Sequence, residues 1–213
     1  MMTEIGKVGF WCGLVAASAA IAFDIVQIMQ IAGVLRFPMD EVLIYATSLC
    51  IVVPFLGEML AFHHLTRPDR QFWTHGALLL SVIYAVFVSA NYVVQLATVI
   101  PAKLSGAADA VRILEQTPHS LFWIFDAIGY ISMGLATLVA VPAFDRGGFE
   151  GRVRISFLAH ALVTPFISFV YFYPTYSESL LMFGIAWAVT APLFMIMLAL
   201  NLRRKRGGGH SAS

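Results

Sequence analysis

The chain has 213 residues, of which 60% are hydrophobic and only 12% are charged, and its mean hydropathy is +0.83. A soluble domain of this length could not bury so much apolar surface, so the composition excludes a water-soluble protein and indicates a lipid bilayer as partner. The formal net charge of +1 gives no reason to expect nucleic acid as a second partner.

Six apolar runs, each long enough to cross a bilayer as a helix, follow one another along the chain. The predicted spans cover about residues 8–35, 42–62, 72–100, 118–144, 153–173 and 179–202. We therefore predict an all-α polytopic membrane protein with a single six-span domain, residues 1–206, and a disordered glycine-rich tail, residues 207–213. The sixth span is nearly all apolar and is expected at the periphery, against lipid.

The third predicted span carries a seam of small and hydrogen-bonding residues. Its members follow one another at alternating steps of three and four: Thr74, Ala77, Ser81, Tyr84, Val88, Asn91, Gln95 and Thr98. This spacing places all of them on one side of a helix. A helix surrounded by lipid has no use for such a seam, so we expect this side to face protein or water along its length.

Two features near the predicted membrane surfaces stand out. The segment of about residues 102–116 is too short to span, and its apolar residues share one side, which predicts an amphipathic helix on the outer membrane face. At the end of the fifth span, Tyr171 and the aromatic residues after it are typical of an interface belt. Earlier in this span, four polar residues follow one another at steps of four: Ser156, His160, Thr164 and Ser168.

The positive charges predict the orientation. An even number of spans puts both termini on one side, where 10 of the 13 Lys and Arg residues then lie, against three on the other. This bias predicts a multi-pass plasma-membrane protein with cytoplasmic N- and C-termini.

Acidic residues inside the apolar runs are the strongest functional signal. A carboxylate at the bilayer centre costs about 2.5–3.5 kcal/mol on insertion scales, unless it faces the bundle, finds donors or carries a proton. We predict a pocket for ligand binding or proton coupling between spans one, three and four. Its candidate residues are Asp24, Gln27, Tyr84, Asn91, Gln95, Asp126 and Tyr130. The alternative is a hydrogen-bond network that only fixes helix packing, and Asn91 and Gln95 taken alone favour it.

A second group of titratable residues falls near the cytoplasmic side. Glu58, His63 and His160 are the metal-ligand candidates, but the chain has no HExxH or comparable ligand motif, and we predict no metal site. Glu58 with His160 alone could form a proton relay or a simple salt link.

The sequence is compatible with three functions. The first is a carrier or receptor for a small cationic or hydrogen-bonding molecule, with proton coupling as an option and the amphipathic helix as a lid. The second is a membrane enzyme that acts on a lipid or lipophilic substrate through the Glu58 and histidine group. The third is a structural or assembly subunit. Neither a cofactor nor an oligomeric state can be read from the sequence.

Overall fold

The protein, analysed as a computed structural model in which residues 3–205 are described, is an all-α bundle of six helices long and apolar enough to cross a membrane. The six spans are span 1, Glu4–Ile31; span 2, Met39–His64; span 3, Pro68–Leu104; span 4, Leu121–Ala143; span 5, Gly148–Phe172; and span 6, Met182–Arg204. The predicted fold class and number of spans are confirmed. The predicted tail, residues 207–213, lies outside the described part of the chain.

Six spans bring the start of span 1 and the end of span 6 to one end of the bundle, which we call the terminal end; the opposite end is the distal end. At the terminal end, Lys205 Nζ donates to the backbone oxygen of Leu65 at 3.2 Å and lies 3.8 Å from Glu150. Burial lowers the pKa of the Lys205 ammonium group. Arg70 forms an ion pair with Asp145 at 2.6 Å. Polar contacts therefore tie the loops of this end together.

Span 3 changes its helical geometry near the distal end. It is α-helical over Gln71–Val94, forms a π-helical turn over Gln95–Val99 and returns to α over Ile100–Leu104. A π turn contains one extra residue, so the buried face moves by one position. The predicted seam is buried from Thr74 to Gln95, but Thr98 is exposed and Val99 is buried in its place. The prediction is confirmed up to Gln95 and wrong for Thr98.

The connection between spans 3 and 4, residues 105–120, is called the distal segment. Its amphipathic helix is shorter than the predicted 102–116, because residues 102–104 end span 3 and Gly106 has a φ of +78°. What remains is one helical turn, Ala108–Val111, followed by a 3₁₀ turn, Arg112–Leu114. Span 4 then begins at Leu121 rather than at residue 118, because Ser120 Oγ caps it by accepting the Trp123 N–H at 3.2 Å.

The spans form a closed ring in chain order. Each span packs against the next, span 6 packs against span 1, and span 6 also reaches span 2 across the ring. The expected peripheral position of span 6 holds for one side of the helix only: Val189 and Leu193 are exposed, whereas Phe194, Met195 and Leu198 have no exposed surface. An entirely apolar sequence suits both lipid and a packed interior, so it does not reveal which side of the helix meets protein.

Aromatic side chains fill the interior of this ring. Successive ring contacts are Phe62–Phe157 at 6.2 Å, Phe157–Phe194 at 5.2 Å, Phe194–Phe55 at 5.9 Å, Phe55–Tyr84 at 5.6 Å and Tyr84–Tyr130 at 6.2 Å. This chain of rings starts among phenylalanines at the terminal end and changes to tyrosines toward the distal end. The tyrosines of this chain of rings therefore lie on its distal side.

Candidate functional site

Asp126 of span 4 is the centre of the polar interior and is only 5% exposed. Its Oδ1 accepts hydrogen bonds from the Tyr92 hydroxyl at 2.6 Å and from Asn91 Nδ2 at 3.4 Å. Its Oδ2 accepts a hydrogen bond from the Tyr171 hydroxyl. Donors from spans 3 and 5 thus converge on one carboxyl group of span 4, which is the arrangement that a buried carboxylate requires.

Tyrosine hydroxyls extend this network toward the bundle interior. The Tyr92 and Tyr130 hydroxyl oxygens are 3.0 Å apart and hydrogen bonded. The Tyr92 ring packs on Tyr45 of span 2 at 5.3 Å, and the Tyr130 ring meets Trp187 of span 6 at 5.2 Å. Five spans therefore contribute to the site or to its aromatic lining. We call Asp126, Asn91, Tyr92, Tyr130 and Tyr171 the Asp126 cluster.

The distal segment is attached to this cluster by side-chain hydrogen bonds. Asn91 Nδ2, which contacts Asp126, also donates to Gln116 Oε1 at 3.0 Å. Gln95, the first residue of the π turn, donates to the backbone oxygen of Leu114 at 2.8 Å and accepts from the Gln116 N–H at 3.2 Å. The segment that leaves span 3 thus folds back beside the site, and the π turn supplies one of its two anchoring amides.

The structure places the predicted site residues in three groups. Asn91, Asp126 and Tyr130 belong to the cluster, and Gln95 reaches it through a 3.5 Å contact with Asn91 Oδ1. Tyr84 adjoins it by its ring, 6.2 Å from that of Tyr130, but its buried hydroxyl has no hydrogen-bond partner.

The two candidates on span 1 form the third group. Asp24 and Gln27 make no hydrogen bond to the cluster, and Asp24 Oδ1 is buried without a partner. The Asp24 carboxyl nevertheless lies within electrostatic range of Tyr130. It is therefore a neighbour of the cluster across the bundle and not one of its hydrogen-bonded members.

Sequence reasoning missed Tyr92, Tyr171 and Gln116. Tyr92 lies one position off the seam of span 3, and Gln116 lies in the connection between spans. The assignment of Tyr171 to an interface belt is wrong, because its hydroxyl binds Asp126 and its ring packs on Trp123 at 4.8 Å. A signal was present, since Tyr171 lies three residues after Ser168 and continues the polar line of span 5.

No basic side chain compensates the acids of the interior. In the part of the chain that the structure describes, the ion pairs involve neither Asp24, Glu58 nor Asp126. A carboxylate in a medium of low dielectric needs an opposite charge, donors or a proton. Asp126 has donors, whereas Glu58 and one oxygen of Asp24 have none.

The second group of titratable residues is not brought together. Glu58 has no exposed surface, and its carboxyl forms no hydrogen bond with a histidine. His160 Nδ1 is hydrogen bonded to Thr190 Oγ1 of span 6 at 3.0 Å, and His63 Nδ1 to Thr74 Oγ1 of span 3 at 2.9 Å. Over residues 3–205, no three His, Cys, Asp or Glu side chains are grouped so that they could hold a metal ion.

Comparison with protein-family models, with curated proteins and with solved structures gives no match.

Proposed function

We propose that this membrane protein is a carrier or receptor for a small organic cation, which binds at the Asp126 cluster. The observation that supports the proposal most strongly is the environment of Asp126. A carboxyl group 5% exposed inside the bundle is surrounded by hydroxyls, an amide and aromatic rings, and no ion pair with a described basic side chain involves it.

The aromatic lining favours an organic cation over a metal ion. Ring faces attract ammonium groups, by about 2 kcal/mol or more when the contact is desolvated. The rings that surround the cluster or belong to it are those of Tyr45, Tyr92, Tyr130, Tyr171, Trp123 and Trp187. The Asp24 carboxyl group, one oxygen of which has no partner, lies within electrostatic range of Tyr130 and is a second acid near the cluster.

Proton coupling follows from the same arrangement. When no cation is bound, a proton can neutralise the cluster, because an isolated charge in the bilayer interior is costly. A cation and a proton then compete for one carboxyl group, so cation binding releases a proton.

Access is proposed from the distal end. The distal segment is anchored beside the cluster by Gln95, Asn91 and Gln116. Breaking these hydrogen bonds would let the segment move away as a lid. The charge bias of the loops favours an outer position for this end and cytoplasmic termini, which would make the protein a plasma-membrane protein with an outward-facing site.

The proposal is tested with the purified protein in lipid nanodiscs and four probes: tetramethylammonium, choline, phenethylammonium and spermidine. We expect at least one probe to raise the melting temperature of the wild type, because a ligand that binds the folded state stabilises it. Asp126→Asn should abolish the increase. Asp109→Asn, the same substitution at an exposed position of the distal segment, should leave it unchanged.

Two results would overturn the proposal: no probe raises the melting temperature of the wild type, or the increase persists in Asp126→Asn. The first result would favour an assembly subunit, in which the cluster only holds spans 3, 4 and 5 together. A membrane enzyme built on Glu58 and His160 has no support in the geometry, since the two side chains are not hydrogen bonded to each other and His160 pairs with Thr190.

A further inference from the structure

Glu58 is one of the three interior acids without an ion-pair partner, and it lies apart from the Asp126 cluster. It belongs to span 2 and contacts spans 1 and 6, whereas the cluster joins spans 3, 4 and 5. Its side chain has no exposed surface, and neither carboxyl oxygen has a hydrogen-bond partner. The peptide group of Ala199 on span 6 is nearby, but its geometry makes no hydrogen bond.

The helices that surround Glu58 pack closely against one another and against its carboxyl group. A Cβ atom added at Gly13 of span 1 would overlap Glu58 Oε1, so the carboxyl group occupies the space that a side chain at residue 13 would need. The same added atom would lie 2.8 Å from the Cβ of Ala199. A Cβ atom at Gly57 would lie 2.7 Å from Cys12 Sγ. Spans 1, 2 and 6 thus pack closely around the carboxyl group, with small residues facing it from spans 1 and 6.

An ionised carboxylate in this position would have no ion-pair partner, no hydrogen-bonded donor and no contact with water. Burial of such a charge costs far more than burial of a neutral carboxylic acid, which leaves only ordinary polar atoms unsatisfied. The titratable group that faces Glu58 from span 1 is the Cys12 thiol, which supplies no positive charge. Among the residues described, no cation forms an ion pair with Glu58.

We propose that Glu58 is a proton-binding site in the packed contact of spans 1, 2 and 6. Its carboxyl group carries a proton in this conformation. The proton leaves only when span 1 or span 6 moves away from span 2 and admits water. This inference does not depend on cation binding at Asp126, since it rests on other helices and other residues.

Infrared spectroscopy of the full chain in nanodiscs at neutral pH tests the proposal. We expect the carbonyl stretch of a protonated carboxylic acid in the wild type, lost in Glu58→Gln, a neutral side chain of the same shape. After labelling with ¹³C-glutamate, the band should move to lower frequency, which an aspartate band would not do. Labelling keeps the test valid even if Glu58→Gln does not fold.

Gly13→Ala provides the second arm, because its new methyl group overlaps Glu58 Oε1. We expect the protonated band to move or vanish, whereas Gly147→Ala, whose Cβ meets nothing within 4 Å, leaves it in place. The proposal is overturned if labelled glutamate shows only ionised carboxylate bands, or if Gly13→Ala leaves the protonated band unchanged. Asp126→Asn should not affect the band, so this result and the cation-binding result are separable.

Discussion

Tyr171 is the residue that ties span 5 to Asp126. Replacing it with phenylalanine removes one donor and keeps the ring on Trp123. We expect Tyr171→Phe to lower the free energy of unfolding by about 1 kcal/mol, the usual size of an interhelical hydrogen bond in a membrane protein. Tyr173→Phe is the matched control, because that side chain is 42% exposed and the change should have little effect. Equal effects of the two substitutions on unfolding in detergent would contradict this role of Tyr171.

At the scale of single residues, the sequence reveals which groups cost free energy to bury in the membrane, but not which of them contact each other. Asp24 and Asp126 stand out because a carboxyl group in an apolar run needs a reason to be there. Whether they share hydrogen bonds depends on how spans 1 and 4 are rotated about their axes. Tyr171 shows the same ambiguity, since a tyrosine near the end of a span suits both a membrane interface and a buried acid.

At the scale of elements, the π turn of span 3 accommodates one extra residue. The helix before the turn and the helix after it can therefore both direct a buried side toward the bundle interior. Deleting Ala97, an exposed residue inside this turn, should convert the turn to α and leave both flanking faces as they are. Deleting Ala90, exposed and in the α-helical part, should rotate everything after it by about 100° and turn Asn91 and Gln95 away from the interior.

We therefore expect the protein without Ala97 to remain monodisperse and folded, and the protein without Ala90 to aggregate or unfold. Size-exclusion chromatography in detergent and melting curves measure both. Equal damage from the two deletions would show that the extra residue is not what the turn accommodates.

The elements themselves were largely predictable from the sequence, because the length of an apolar run is set by the thickness of the bilayer. The π turn was not predictable, since no residue type in Gln95–Val99 marks it. The predicted buried seam is therefore wrong at Thr98, which follows the start of the turn. The predicted amphipathic helix is longer than the observed one, because periodic apolar residues continue across Gly106, whose backbone conformation ends the helix.

At the scale of the whole molecule, the ring closes where span 1 meets spans 2 and 6 at Gly9. A Cβ atom there would lie 2.5 Å from the Cβ of Ala61 and 2.7 Å from Leu202 Cδ1. Helix propensity alone predicts that Gly9→Ala stabilises the protein by about 1 kcal/mol, whereas overpacking costs about 1–3 kcal/mol. Since the Ala61 Cβ is fixed to the backbone, we expect overpacking to win and the variant to unfold more easily than the wild type.

The free energy of unfolding of Gly9→Ala, measured beside that of Gly147→Ala, shows whether the substitution at residue 9 stabilises or destabilises the protein. Gly147→Ala meets nothing within 4 Å and serves as the control. A gain in stability at residue 9 would mean that the first and last spans are not in close contact, and the ring would be open. The order of the ring could not be predicted from the sequence, because the short connections fix only which spans are consecutive and say nothing about the closure of span 6 on span 1.

A bound cation must touch the Asp126 carboxyl group if the cluster is the binding site. Solid-state NMR measures this contact through the dipolar coupling between an ¹⁵N-labelled ammonium probe and aspartate labelled with ¹³C at Cγ, in the wild type and in Asp126→Asn. We predict coupling at contact distance in the wild type and its loss in Asp126→Asn. A bound probe that shows no coupling to an aspartate, or the same coupling in both proteins, would contradict a cation site at Asp126.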